Sequence, residues 1–549
     1  MKIDYLEIRS RFKNLENVTI DFDETHLMTV IVGWNGAGKS NIIEALVSIF
    51  RNLDLGETPK FSYKIKFRLK NDSQSNTAAT WIIIDADPDR GKGPGTQHTI
   101  RACSEDKAES LAEEKWQKIP FSKVKRDKQG RSLFLPRYLF AYYSGPSDRL
   151  EEYFKKHRTD FYRRLLRNEL TLKGEIRPLF YAKPIHSQFV LLAFFLGASK
   201  NTELDFLREH LGIEGLDSVH FVLRRPDWAK KKKELFWGAD GVVREFLDRL
   251  FPHTLAPVKV TRQEDLGLTG KSLQNEFFHL FVPGLQELRD AANGLTPDEL
   301  FKMLESLLLS EIIAEVRVRV KVRGIKNPLS FKELSEGEQQ LLTVLGLLKF
   351  TGGQDSLFLL DEPDTHLNPS WTVEYLSFLK QFISDQDTSH MIMVTHHPLA
   401  IAELAKRQVI IMWRDREGII HAEEPETDPR GMGFAGILTS DMFGLTSTLD
   451  RYSESLLRER RELIEKGQLT QQEHRTLEKL DKKIQKLGFT TSHWDHDYEE
   501  YLQIRKQQFH EIFVEDDRDD PEVKEKRKQR AEEIVRKILE QEKREEGNV

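Results

Sequence analysis

Residues 3–8 and 18–22 alternate apolar with polar positions, the period of half-buried strands. Residues 28–32 are continuously apolar, as in a strand covered on both faces. A further strand is predicted at 80–84. Residues 85–97, rich in Asp, Gly and Pro, read as a surface loop, and 133–143 form an apolar run closed by the turn Ser144-Gly145-Pro146. From about residue 149 the period changes. Residues 150–167, 185–197, 203–211, 242–251 and 297–309 carry helical spacing, broken by Pro178, Pro184, Gly212 and Pro226. Alternation returns at 315–322, where valines interleave with Arg and Lys, and apolar runs recur at 357–360 and 391–395. Residues 452–466 and 470–487 predict a helical hairpin around Gly467, and 521–546 a charge-rich terminal helix.

This pattern predicts an α/β chain in four parts. Residues 1–148 and 311–424 are two lobes of one mixed sheet flanked by helices. Residues 149–310 are a mostly helical insertion without coiled-coil heptads, and 425–549 a helical C-terminal region. At 549 residues the chain is too long for one simple core.

Composition narrows the class. The chain is 39% hydrophobic and 31% charged, with a mean hydropathy of −0.53. Its longest apolar run, 189–198, is too short to span a bilayer, so a soluble, cytoplasmic protein is expected, with no membrane partner. A net charge of −6 argues against general nucleic-acid stickiness but leaves room for a local basic groove. The single cysteine, Cys103, excludes an internal disulfide and a cysteine-rich metal site.

Candidate chemistry begins at Gly33-Trp34-Asn35-Gly36-Ala37-Gly38-Lys39-Ser40, a complete G-x-x-x-x-G-K-S phosphate loop between a predicted strand and a predicted helix. Its glycines let backbone N–H groups, from Asn35 to Asn41, face phosphates. Lys39 brings a point charge to the β- and γ-phosphates, and Ser40 a hydroxyl for Mg²⁺. The run 357–360 ends in Asp361-Glu362-Pro363. At the carboxyl end of a central strand, Asp361 would hold Mg²⁺ and Glu362 would orient or deprotonate water. Ser335-Glu336-Gly337-Glu338 precedes an apolar helix. Structurally it is a capping box from Ser335 to Glu338; functionally, Gly337 and the exposed helix start offer an anion site. His396 directly follows the 391–395 strand and is preferred to His397 as a γ-phosphate sensor.

Phosphate loop, signature, acidic strand, the loop Thr365-His366-Leu367-Asn368-Pro369 and histidine occur in the order of the ABC-type ATPases. The chain resembles the head-domain ATPases of the chromosome-maintenance, break-repair and RecF group. That resemblance implies an ABC-ATPase head that binds ATP and Mg²⁺ and dimerises or forms higher oligomers. Ser335, Gly337 and Glu338 of one subunit would then act on nucleotide held by the other, with Asn368 nearby. Lys13 and Asn14, after Phe12, occupy the place of the family's early loop near the base. Two positions depart from the pattern: Asn368 stands where Asp is usual, and Tyr143-Ser144-Gly145 lies where a glutamine loop belongs.

A narrower resemblance rests on residues 142–150, 183–186 and 436–445. These stretches look like the PtuA family, the ATPases of Septu-type anti-phage defence, which also occur beside retrons. It implies a partner HNH nuclease, with a reverse transcriptase and its retron DNA as further partners. Two alternatives stay open. One is a self-contained nuclease of the OLD type, for which the acidic run 515–520 is the only local candidate; a solvated linker explains it as well. The other is a RecF-like repair ATPase contacting nucleic acid through Lys155, Lys156, Arg163, Arg164 or residues 230–233. His493, Asp495 and Asp497 could share a metal if extended, although a polar turn or partner contact is the preferred reading.

Overall fold

The apolar run Met28–Gly33 becomes an inner strand, third in order, of a seven-stranded sheet. In order across the sheet lie Ile420–Glu423, Val409–Arg414, Met28–Gly33, His390–Val394, Ser356–Asp361, Tyr138–Tyr143 and Leu179–Tyr181. All neighbours are parallel except the edge strand Ile420–Glu423. Alternate side chains enter two cores. Ile31, Leu357, Leu359, Ile392 and Val394 face the helix Lys39–Leu55. Val30, Val32, Phe358, Leu360, Met391 and Met393 face the helices His186–Leu196, Glu336–Thr351 and Pro369–Phe382. Coverage on both faces is why these strands read as unbroken apolar runs. The computed structural model describes residues 1–489, apart from 71–78, 109, 127–131, 168, 170–176, 198–201, 230–233, 266–271, 352–354, 384 and 467–469, together with residue 536.

A six-stranded antiparallel sheet closes the first core. Its order is Val18–Asp21, Lys2–Ile8, Tyr63–Leu69, Thr80–Ala86, His98–Ser104 and Gln117–Ile119. Phe50 of the helix meets Phe67 of this sheet edge-on at 5.5 Å between centroids. The helix after the phosphate loop is thereby held between two sheets. Tyr63–Leu69, not among the predicted strands, alternates buried and half-buried positions without a break.

The insertion keeps its helices and adds strands that the helical spacing of 149–310 does not predict. Helices Glu151–Leu166, His186–Leu196, Thr202–Glu209, Gly241–Leu250, Leu285–Ala291 and Pro297–Leu309 are present. With them goes a five-stranded antiparallel sheet of Leu255–Asp265, Ser272–Val282, Ile213–Arg224, Ile313–Val322 and Leu329–Ser330, the last two strands lying beyond residue 310. The pairing of Ile213–Arg224 with Ile313–Val322 shifts register at three places, and the two shifts that add a residue to Ile213–Arg224, at Glu214 and Asp217, break the two-residue period that would reveal that strand.

Two compact units emerge, Met1–Leu445 and Thr446–Val549. In the second, Arg451–Glu465 and Gln471–Lys486 form the expected hairpin around a small core of Leu456, Leu480 and Ile484. Asp450 caps the first helix and Thr470, with Glu473, boxes the second. The terminal helix expected at 521–546, save residue 536, the acidic run 515–520, the cluster His493, Asp495 and Asp497, and the lysine run 230–233 lie outside the described residues.

Candidate functional site

The phosphate loop follows its strand because glycine is required at the turn. A Cβ on Gly33 would lie 2.0 Å from the Met412 carbonyl oxygen of the neighbouring strand, and its φ is +126°. Gly36 and Gly38 also have positive φ, 81° and 89°, which only glycine adopts freely. Gly38 is the N-cap of the helix Lys39–Leu55, so its first-turn N–H groups open onto the loop. Lys39 is 5% exposed, and its Nζ donates to the carbonyls of Gly33 and Trp34 at 2.8 Å each. Burial pushes the Lys39 pKa down to about 8, against the pull of Glu362 and Asp361.

Asn14 locks this loop from outside. Its Nδ2 donates to the Gly36 carbonyl at 2.9 Å, and its Oδ1 accepts from Asn41 Nδ2 at 2.5 Å. Lys13 sits in a left-handed turn, φ 56°, and pairs with the buried Glu44 of the helix. Asn35 is exposed and Ala37 is buried.

Asp361 and Glu362 leave the strand Ser356–Asp361 beside the phosphate loop. Asp361 Oδ1 accepts from Ser40 Oγ at 2.9 Å, and Oδ2 takes Arg149 Nη2 at 3.1 Å. Burial raises the Asp361 pKa to about 6, opposed by the Ser40 hydrogen bond and the Arg149 charge. A hydroxyl and a carboxylate oxygen converge here, the hard donors that Mg²⁺ takes, so these residues fit that ion. Glu362 has a left-handed φ of 53° and its N–H donates to the Val394 carbonyl at 2.8 Å. Such strain in a non-glycine residue is found at functional sites. Its carboxylate lies 3.4 Å from His396 Nε2, and the His396 hydrogen bond holds its pKa below the usual carboxylate range. His397 instead serves the backbone. Its Nδ1 accepts from the Leu399 N–H and caps a short turn.

The signature residues form a second group. The Ser335 N–H and Oγ both donate to Glu338 Oε2, at 2.6 and 2.8 Å, and the Glu338 N–H returns to Ser335 Oγ at 3.3 Å. A Cβ on Gly337 would lie 2.4 Å from the His366 carbonyl oxygen, so glycine permits close approach of helix and loop. Asn368 caps the helix Pro369–Phe382 by accepting from the Trp371 N–H at 2.9 Å. Among the described residues no hydrogen bond or ion pair joins Ser335, Gly337, Glu338 or Asn368 to the phosphate loop. Gln340 connects the groups, donating to the Glu362 carbonyl at 3.3 Å and accepting from the His366 N–H at 3.2 Å.

Three residues here were not singled out from the sequence: Arg149, Glu44 and Gln340. Arg149 belongs to the stretch 142–150, but no spacing announces its pairing with Asp361, 212 residues away. Glu44 is a carboxylate only 2% exposed on a helix surrounded by apolar residues, and a buried charge calls for partners.

The chain is 27% identical over 189 residues to the Septu protein PtuA of Bacillus mycoides (strain KBAB4), covering 32% of this chain and 26% of that protein. It is 28% identical over 201 residues to Protein ea59 of Escherichia phage lambda, covering 34% and 38%. The chain thus spans well under half the length of these curated relatives. The SMC head domain from Thermotoga maritima overlaps at TM-score 0.31 and 11% identity, over 78% of this chain and 100% of that one. The Pyrococcus furiosus Smc head domain bound to the C-terminal domain of ScpA overlaps at 0.30 and 15%, over 77% and 96%. Overlaps this low carry no weight for function. The family profile described as "AAA domain, putative AbiEii toxin, Type IV TA system" matches residues 28–402, more than half of the chain and every motif from the phosphate loop to His396. The chain belongs to this AAA-domain family and is an ATPase of the AAA/ABC type similar to PtuA.

Proposed function

We propose that the chain binds ATP with Mg²⁺ at residues 33–41, hydrolyses it across a subunit interface, and serves anti-phage defence by governing a partner nuclease. The observation that carries the ATPase reading is the meeting of Ser40, Asp361, Glu362 and His396 at the mouth of one phosphate loop.

The chain's own residues divide the work. N–H groups of the loop and first helical turn cradle the phosphates. Lys39 exchanges its two carbonyl partners for phosphate oxygens. Mg²⁺, when bound, neutralises charge on the β- and γ-phosphates, and Ser40 Oγ with Asp361 Oδ1 would hold it. Glu362, ionised at neutral pH, orients the attacking water and accepts its proton, and His396 keeps that carboxylate in place. Lys13 and Asn14 flank the nucleotide on the base side. Ser335, Gly337 and Glu338, with Asn368, close the site from a second subunit, so activity requires a homodimer or a higher homo-oligomer.

Similarity to PtuA supports the defence role. The partner is an HNH nuclease, joined in retron-bearing systems by a reverse transcriptase and its DNA, and the assembly works in the cytoplasm. Among the described residues no helix is long and apolar enough to cross a membrane.

Two variants test the reading. Lys39→Ala is expected to abolish ATP binding and phage protection with unchanged circular dichroism; normal affinity would refute the phosphate-loop assignment. Glu362→Gln is expected to keep ATP binding and lose turnover by about 10²-fold or more, the scale of general-base catalysis. Wild-type turnover in that variant would assign the base elsewhere.

A further inference from the structure

Arg149 joins two buried carboxylates. Its Nη2 is 3.1 Å from Asp361 Oδ2 and its Nε is 3.5 Å from Glu44 Oε1. The guanidinium lies over the Tyr143 ring, 4.7 Å from its centroid. Asp361 and Glu44 are each 2% exposed. Glu44 stands one turn beyond Lys39 and Ser40 on the same helix and takes Lys13 on its other oxygen. A continuous chain of charge therefore runs from Ser40 and Asp361 through Arg149 and Glu44 to Lys13.

Buried carboxylates require compensating positive charge. At Asp361 two cations can supply it: the guanidinium already there, or a divalent ion seated between Ser40 and Asp361. They would take different oxygens, Oδ2 and Oδ1, of a carboxylate that carries one negative charge, and two cations side by side repel. We infer that Arg149 is the resident counter-charge of the nucleotide-free site. It holds Asp361 in place, competes with Mg²⁺ for that carboxylate, and yields it when Mg²⁺ and ATP load, while keeping Glu44. Arg149 is a positioning residue, not a catalytic one. It precedes the helix Glu151–Leu166 by two residues, so the exchange at Asp361 is felt where the insertion begins. This inference rests on the phosphate-loop reading proposed above.

The test uses full-length protein carrying Arg149→Gln or Arg149→Lys. The melting temperature is followed in Mg²⁺ alone, and the Mg²⁺ concentration for half-maximal ATP binding is measured separately. With the competing cation removed, Arg149→Gln should melt lower than wild type in chelator and gain more from Mg²⁺ alone. It should need about five- to tenfold less Mg²⁺ for ATP binding. Arg149→Lys, which keeps the charge, should stay close to wild type. A folded Arg149→Gln protein with an unchanged or increased Mg²⁺ requirement would overturn the inference. If that variant does not fold, Glu44→Gln decides: Arg149 then has Asp361 alone, so the Mg²⁺ requirement should rise, and an unchanged or lower one would overturn it. A wild-type protein that binds no ATP at any Mg²⁺ concentration would instead defeat the phosphate-loop reading. The response to Mg²⁺ alone still judges Arg149 in that case.

Discussion

Lys39 and Asp361 titrate toward each other. Burial brings the lysine down from 10.5 to about 8 and the aspartate up from 3.8 to about 6. In each case the folded protein disfavours the charged form. For Asp361 the folded state binds its proton more tightly than the unfolded chain, so this group's contribution to stability falls as pH rises from 3.8 to about 6. For Lys39 the folded state binds its proton less tightly. Its cost is full below about 8 and disappears as pH rises toward 10.5. Bound phosphate and Mg²⁺ would repay both charges. Affinity for Mg²⁺ and ATP should therefore be greatest between about pH 6 and 8, where both groups are ionised. Calorimetric titration from pH 5 to 9 checks this, and a flat profile would contradict it. Lys39→Arg should move the basic limb upward. At this scale the sequence already named Lys39, Ser40, Asp361 and Glu362. It left Arg149 unnamed, because an ion pair between distant residues has no local signature.

Element-scale constraints concentrate on the helix Glu336–Thr351. It starts at the capping box of Ser335 and Glu338, legible as a motif because all its bonds are local. Further along, it meets the buried helix His186–Leu196 through Gly346, where a Cβ would fall 1.9 Å from Val190 Cγ2. Gly346→Val is expected to destabilise the protein by about 1–3 kcal/mol through overpacking, and Val190→Ala to recover part of the loss. Denaturant unfolding of the two single variants and the double variant measures the coupling; additive effects would show that the helices do not meet there. The helix start itself offers a functional test. Ser335→Arg puts a bulky cation where a second subunit's γ-phosphate is proposed to sit. That variant should bind ATP but fail to dimerise or hydrolyse it. Mixed with Lys39→Ala, it should regain hydrolysis through one intact composite site. No recovery in confirmed mixed dimers would count against action in trans.

For the whole molecule, Met1–Leu445 carries the described cores of both large sheets, whereas Thr446–Val549 has its own small helical core. A chain ending at Leu445 is therefore expected to fold, to bind ATP with near-wild-type affinity, and to lose the partner nuclease on co-purification. Loss of ATP binding, or retention of the partner, would each refute the division of labour. Highly purified full-length protein should not cut DNA or RNA with Mg²⁺ or Mn²⁺. Cleavage abolished by changing Glu515 or Asp517 would make the chain a nuclease in its own right.

By itself the sequence determined what lies within one element or one turn. The glycine spacing of the phosphate loop, the capping box, the apolar runs of a doubly covered sheet and the acidic end of one of them all follow from local sterics and hydrogen bonding. Tertiary structure decided what depends on register between distant segments. It brought His396, already preferred to His397 in the sequence, onto Glu362, because parallel pairing of Ser356–Asp361 with His390–Val394 ends both strands together. It also linked Gln340 to both motif groups and laid Arg149 on Asp361. It also assembled the five-stranded sheet, in which the shifted register of Ile213–Arg224 hides that strand's period. Bulges and long-range pairings are selected by the packed whole, and a short window of sequence does not contain the partners that select them.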